Sequence, residues 1–257
     1  MRSYQKNWLE FVFFKAFAEL KAESIKTYLS FLWWILDPLL TFLIFYTVFG
    51  IFLQHDSQNF IPFLLIGITI WNGFANTIYH GADSLIQNHA IMQYVYLPKW
   101  VFPTVIVLKN ILKFFVTFIL LIIIMIILGF EPQKSISTIF VLIFLYLFLI
   151  YSSTLFVSSI IPFFPDLKFL VNHFIHLLFF LSAVFYSPDM LSPIQQRILF
   201  LNPMAVLIDA FRDVIIYNRD PNWNWILLVF IESKAIFFLG VSILYRWDRI
   251  YPKIIIQ

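Results

Sequence analysis

The chain has 257 residues, 61% apolar, 21% aromatic and only 12% charged, with a net charge of +3. Soluble domains carry about 25% charged residues, so this chain cannot clothe a soluble surface, and its composition indicates a polytopic membrane protein with one membrane domain. Cysteine is absent, which excludes disulfides, thiolate metal sites and a cysteine nucleophile, and none of the six glycines belongs to a P-loop, which excludes nucleotide binding by that device.

In chain order, residues 1–29 read as an amphipathic helix lying in the membrane interface. Leu9, Phe13, Phe17 and Leu20 recur on one side, and Lys15, Glu19, Glu23 and Lys26 on the other. These first residues mix charges with apolar residues and lack the apolar core of a cleavable leader. Six apolar runs of span length follow, at about 31–54, 60–81, 107–129, 137–161, 169–187 and 224–246. The third carries Lys109 and Lys113, expected to snorkel to the nearer headgroups, and the sixth carries Glu232 and Lys234, each expected to find a buried partner. Lysine and arginine number ten on one side of these spans and four, including Lys134, on the other. That bias puts both termini in the cytoplasm, with a short tail at 251–257.

The first span opens on Trp33 and Trp34, then meets Asp37 and Pro38. Asp37 must face protein or water, and Pro38 should kink the helix. The loop His80–Pro103 holds a helical candidate over Ser84–Tyr94. Between spans five and six, Ser192–Pro193 and Asn202–Pro203 each place a capping residue before a proline, which starts a helix. The two helices should lie in, or dip into, the outer interface. Tyr46, Trp71, Phe74, Tyr79, Phe180, Phe185 and Tyr186 are candidates to line a path through the bundle, with Trp33 and Asp37 at its cytoplasmic mouth. His55, His80, His89, His173 and His176 form no ligand cluster by spacing, so no metal site is expected, and no nucleic-acid signature is present.

Three segments resemble the permease subunits of type 2 ABC exporters, polysaccharide branch. In YLSFLWWILDPLLTFLIFYTVFG the matching positions are Tyr28, Ser30, Leu32, Trp33, Pro38, Tyr46, Val48 and Phe49. YLPKWVFP, ending at Pro103, is similar to the segment entering the family's third span, and Phe185–Asp213 resembles its tyrosine, leucine-proline, leucine-asparagine-proline and arginine signature. The chain departs from the pattern at Phe31, where glycine is common, and at Pro165–Asp166, where arginine-aspartate is common. The resemblance implies an all-α membrane fold of six transmembrane helices that exports O-antigen, capsular polysaccharide or teichoic acid on a lipid. It implies two copies of this chain and two ABC ATPase subunits, with ATP and magnesium on the partner and no cofactor or catalytic residue here. Asp83, Ser84, Asn88, Gln93 and Tyr94 would belong to a helix coupled to the ATPase, and Pro193, Asn202, Pro203, Asp209 and Arg212 to an extracytoplasmic gate. Rival readings are an exporter of a drug or small lipid, a membrane glycan-modifying enzyme and an ion-coupled carrier.

Overall fold

A computed structural model describes residues 2–26, 30–52, 59–130 and 136–254. Tyr28, His55 and Lys134 lie outside them, as do the side chains of Ser30, Phe31, Pro38 and Phe49. Every regular element among the described residues is helical: α1 (Arg2–Lys26), α2 (Ser30–Phe45), α3 (Phe60–Ala82), α4 (Ser84–Gln87), α5 (His89–Tyr94), α6 (Val101–Ile127), α7 (Ile136–Ile160), α8 (Leu167–Phe180), α9 (Pro193–Leu199), α10 (Pro203–Ile215), α11 (Trp223–Arg246) and α12 (Tyr251–Ile254). Four helical stretches are long and apolar enough to cross a membrane, Phe60–Ala82, Val101–Ile127, Ser137–Phe163 and Trp223–Arg246. The first and fifth expected spans are shorter apolar helices.

Helix α2 runs unbroken through position 38 and departs from α geometry later, in a π-helical stretch over Tyr46–Phe52. Helix α6 starts at Val101 rather than 107, because Pro103 falls in the first turn, where a missing N–H costs nothing. The single helix expected over Ser84–Tyr94 is two. Asn88 Nδ2 donates to the Ser84 carbonyl at 2.7 Å, a local bond that competes with helix propagation, and α4 ends there. The expected tail begins as α12, with Tyr251 buried and its hydroxyl donating to the Ser159 carbonyl at 2.8 Å.

Helix α1 has the expected two faces but the charged one is not turned to water. Val12 and Ala16 pack on Val101 and Val105 of α6, and Leu9, Phe13 and Phe17 face outward. Lys109 Nζ lies 3.2 Å from Glu19 and 2.8 Å from Glu23, and Lys113 also pairs with Glu23. An ammonium inside an apolar helix costs about 2.5–3.5 kcal/mol if it faces lipid. The two lysines therefore draw the acids of α1 onto α6 instead of snorkelling. The pairing expected for Glu232 and Lys234 is not made: Glu232 Oε2 is buried without a hydrogen-bond partner, and Lys234 is exposed.

The expected fifth span departs furthest from a simple helix. Helix α8 covers 14 residues, about 21 Å, and the chain then turns irregularly to a 3-10 turn at Pro188–Met190. Ala183 adopts φ +52° within that turn. Its free carbonyls are met by α10. Arg212 is fully buried, and Nη1 donates to Ala183 O at 2.7 Å, Nη2 to Val184 O at 2.6 Å, and Nε and Nη2 to Phe63 O at 3.2 and 3.1 Å. Asn202 Nδ2 adds a bond to Leu181 O at 2.9 Å. The guanidinium also lies 3.3 Å from the centre of the Phe63 ring. Gly67 permits this approach, since a Cβ there would sit 2.6 Å from Arg212 Nη2 and 2.7 Å from Val184 O.

Both helix starts between spans five and six are where the capping pattern puts them. Ser192 and Gln195 form a capping box at α9, and Asn202 Oδ1 accepts from the Met204 amide at 3.0 Å at α10. Within α10, Met204–Ile208 and Ala210–Ile215 are buried in the bundle. Replacing Arg212 with glutamine removes a charged donor from three buried carbonyls, a loss of at least about 3 kcal/mol. A thermal unfolding series in detergent is expected to show a large fall, with Arg212→Lys little better, because one ammonium cannot span three acceptors. A midpoint within a degree of the parent would contradict this role.

Candidate functional site

The sequence candidates fall into four regions. The first is the turn after α3. Asp83 pairs with Lys168 in the first turn of α8, and Lys168 also lies 5.6 Å from the Tyr79 ring. Ser84 is buried, and Asn88 Oδ1 accepts from Lys15 of α1. Gln93 Nε2 contacts His89 Nε2 at 3.0 Å, and Tyr94 is 87% exposed. Asp83 and Asn88 thus anchor the turn to α8 and α1, while Gln93 and Tyr94 stand at its free edge.

The second region is aromatic. Trp71 contacts Phe74 at 5.7 Å and Phe179 at 5.6 Å between ring centres. Phe179 continues to Phe180 at 5.3 Å, Phe180 to Phe185 at 5.7 Å, and Phe185 to Tyr186 at 5.4 Å. Phe45 of α2 joins through Phe179 at 5.4 Å. Five of the seven aromatic candidates therefore form one chain of rings. Trp71 and Phe74 are its buried root and Phe180 its most exposed ring. Tyr46 stacks on Phe42 instead, and Tyr79 stands apart beside Lys168.

The third region is legible in the sequence only at Trp33 and Asp37. Trp33, Trp34 and Asp37 of α2 wall a polar cleft of about 280 Å³, completed by Thr69, Asn72, Asn76 and His80 of α3 and Asn110, Lys113 and Thr117 of α6. Asn110 is 6% exposed, and its Nδ2 has no hydrogen-bond partner. An unsatisfied amide in a polar cavity calls for a water or a hydroxyl-bearing ligand. The signal was present: polar side chains at spacings of three, four and four on α3, and three and four on α6, mark one face of each helix. Asp37 is exposed toward this cleft, as its cost in lipid requires.

On the side of α10, Arg212 is the buried staple described above, and Asp213 pairs with Arg219 at 2.7 Å. Asp209 lines a pocket of about 180 Å³ with Asp189, Gln196 and Trp225. Pro193 and Asn202–Pro203 serve the helix starts. Among the described residues no cluster of three or more histidine or acidic side chains is placed to hold a metal. Burial first, then the charge of Asp213, raises the Asp209 carboxyl from 3.8 to about 6, against the pull of Arg212 and Arg219. An acid raised in the folded state loses stability as pH climbs from the unfolded value to the folded one, here between 3.8 and about 6, and the loss persists above. Asp209→Asn is therefore expected to raise the unfolding midpoint at pH 7.5 and leave it nearly unchanged at pH 4. Equal effects at the two pH values would contradict the assignment.

The chain matches the ABC-2 type transporter family over residues 18–216, about three quarters of its length. It is 25% identical over 238 residues to the O-antigen export system permease protein RfbA of Klebsiella pneumoniae, covering 92% of each chain. It is 26% identical over 230 residues to the protein of the same name from Myxococcus xanthus, covering 88% of this chain and 87% of that one. With a helical bundle, apolar spans and a family match across most of its length, the chain belongs to the ABC-2 type transporters.

Proposed function

We propose that this chain is the permease subunit of an ATP-driven exporter that moves a lipid-linked polysaccharide of the O-antigen type across the cytoplasmic membrane. The observation that carries the reading is end-to-end correspondence, near nine tenths of both chains, with permeases named for O-antigen export. In this reading the bundle has six spans, α2, α3, α6, α7, α8 and α11, and both termini are cytoplasmic. The π stretch supports this by lengthening α2 to residue 52, and the Arg212 bonds support it by making an irregular turn tolerable at membrane depth. Helix α1 lies in the interface with Leu9, Phe13 and Phe17 toward lipid.

Two copies of the chain would join two copies of an ATPase that supplies ATP and magnesium chemistry. Tyr94 and Gln93 meet that partner, held at the right height by the Asp83–Lys168 and Asn88–Lys15 bonds. Trp33 and Asp37, with the polar cleft behind them, receive the glycan on the cytoplasmic side. Tyr46, Phe180, Phe185 and Tyr186 continue the path, backed by Trp71 and Phe74, with Tyr79 at its cytoplasmic edge. The outer closure is α9 and α10, started by Pro193 and by Asn202–Pro203 and carrying Asp209 and Arg212. Aromatic faces and neutral amides suit a cargo that must slide, because they contact sugars without binding any one ring tightly.

Depleting the chain in its own cell is expected to leave finished lipid-linked polymer inside and remove it from the surface. Unchanged surface polymer would overturn the polysaccharide reading. Loss on both sides would indicate synthesis instead of export.

A further inference from the structure

At the end of the bundle where α6 begins and α11 ends lies a pocket of about 690 Å³. Trp8 of α1, Lys99 and Trp100 before α6, and Tyr245, Arg246 and Arg249 at the end of α11 line it. Most of the other cations that the bundle engages have acids of their own: Lys15, Lys109, Lys113, Lys168 and Arg219 all form ion pairs. Among the described residues no carboxylate stands within ion-pair distance of Lys99, Arg246 or Arg249. Asp248 also borders the pocket, but its Oδ2 is already engaged by the Tyr96 hydroxyl at 2.9 Å.

Lys99 is the unusual member. It is 3% exposed, its Nζ donates to the Leu97 carbonyl at 3.1 Å, and it lies 5.4 Å from the Tyr96 ring centre. Burial pushes its pKa down, and Asp248 offsets only part of that. A buried ammonium with one carbonyl and a ring face has donor capacity to spare. Two arginines beside it present planar forks suited to phosphate oxygens. Trp8, Trp100 and Tyr245 ring the site, the side chains that gather where a bilayer meets water.

We propose that this pocket binds the phosphate headgroup of an anionic membrane lipid, with Lys99 as the buried contact and Arg246 and Arg249 closing over it. The site differs from the polar cleft, sharing no residue with it, and does not depend on the identity of the cargo. An occupied pocket would tie α1, the start of α6 and the end of α11 together at the membrane boundary.

The test titrates the full-length protein in detergent with phosphatidylglycerol or with phosphatidylcholine of the same acyl chains, and counts retained lipid by native mass spectrometry. Phosphatidylglycerol is expected to be retained preferentially. Lys99→Gln and Arg249→Gln should each reduce retention roughly fivefold, the worth of one basic side chain at an anionic surface. Lys99→Arg should keep it, and Lys21→Gln on the exposed face of α1 should change nothing. Arg249 is exposed, so its variant carries the test should Lys99→Gln fail to fold. Equal retention of the two lipids, or a loss in Lys21→Gln as large as in Arg249→Gln, overturns the proposal. Displacement of the lipid by millimolar inorganic phosphate would assign the pocket to a free anion and overturn it as well.

Discussion

One guanidinium holds together the end of the bundle where α3 begins. Arg212 makes four hydrogen bonds to three carbonyls that belong to two other parts of the chain, the start of α3 and the turn after α8. A backbone that leaves helix geometry inside an apolar bundle exposes carbonyls that lipid cannot satisfy. Arg212 meets that need with a side chain, and Gly67 clears the space for it. The turn that ends α8, the burial of α10 and the packing of α3 are thus one arrangement with a single centre.

Charge is handled differently at each level of the bundle. At the Arg212 level a cation is satisfied by carbonyls and one ring face. Two to three turns into α6, Lys109 and Lys113 are satisfied by acids lent from α1, which clamps that helix to the bundle. The same helix reaches the turn after α3 through Lys15 and Asn88. Force applied at the free edge of that turn would therefore be felt by α1, α6 and, through Asp83 and Lys168, by α8. Helix α8 carries the ring chain of Phe179 and Phe180, so the proposed coupling surface and the proposed path share a mechanical neighbour.

Much of this was readable beforehand. Helix starts at Pro193 and Pro203 follow from capping chemistry that acts within four residues, and the apolar face of α1 follows from spacing alone. What escaped depends on partners distant in the chain. The acids of α1 read as a solvated face because nothing local reveals that Lys109 lies beside them. The fifth span read as one helix because its break is stabilised from α10, some thirty residues on. Most of the polar cleft is hidden for another reason: Asn72, Asn76 and Asn110 carry no charge, and neutral amides stand out less than an ion in an apolar run. The unpaired Oε2 of Glu232 shows that a buried charge does not announce its partner either.

The most direct measurement is translocation in proteoliposomes containing the purified chain, a cognate ATPase subunit and a labelled lipid-linked glycan. Movement of intact glycan to the opposite leaflet is expected only when both subunits and ATP are present. Movement without the ATPase, or chemical alteration of the glycan in place of movement, would contradict the account.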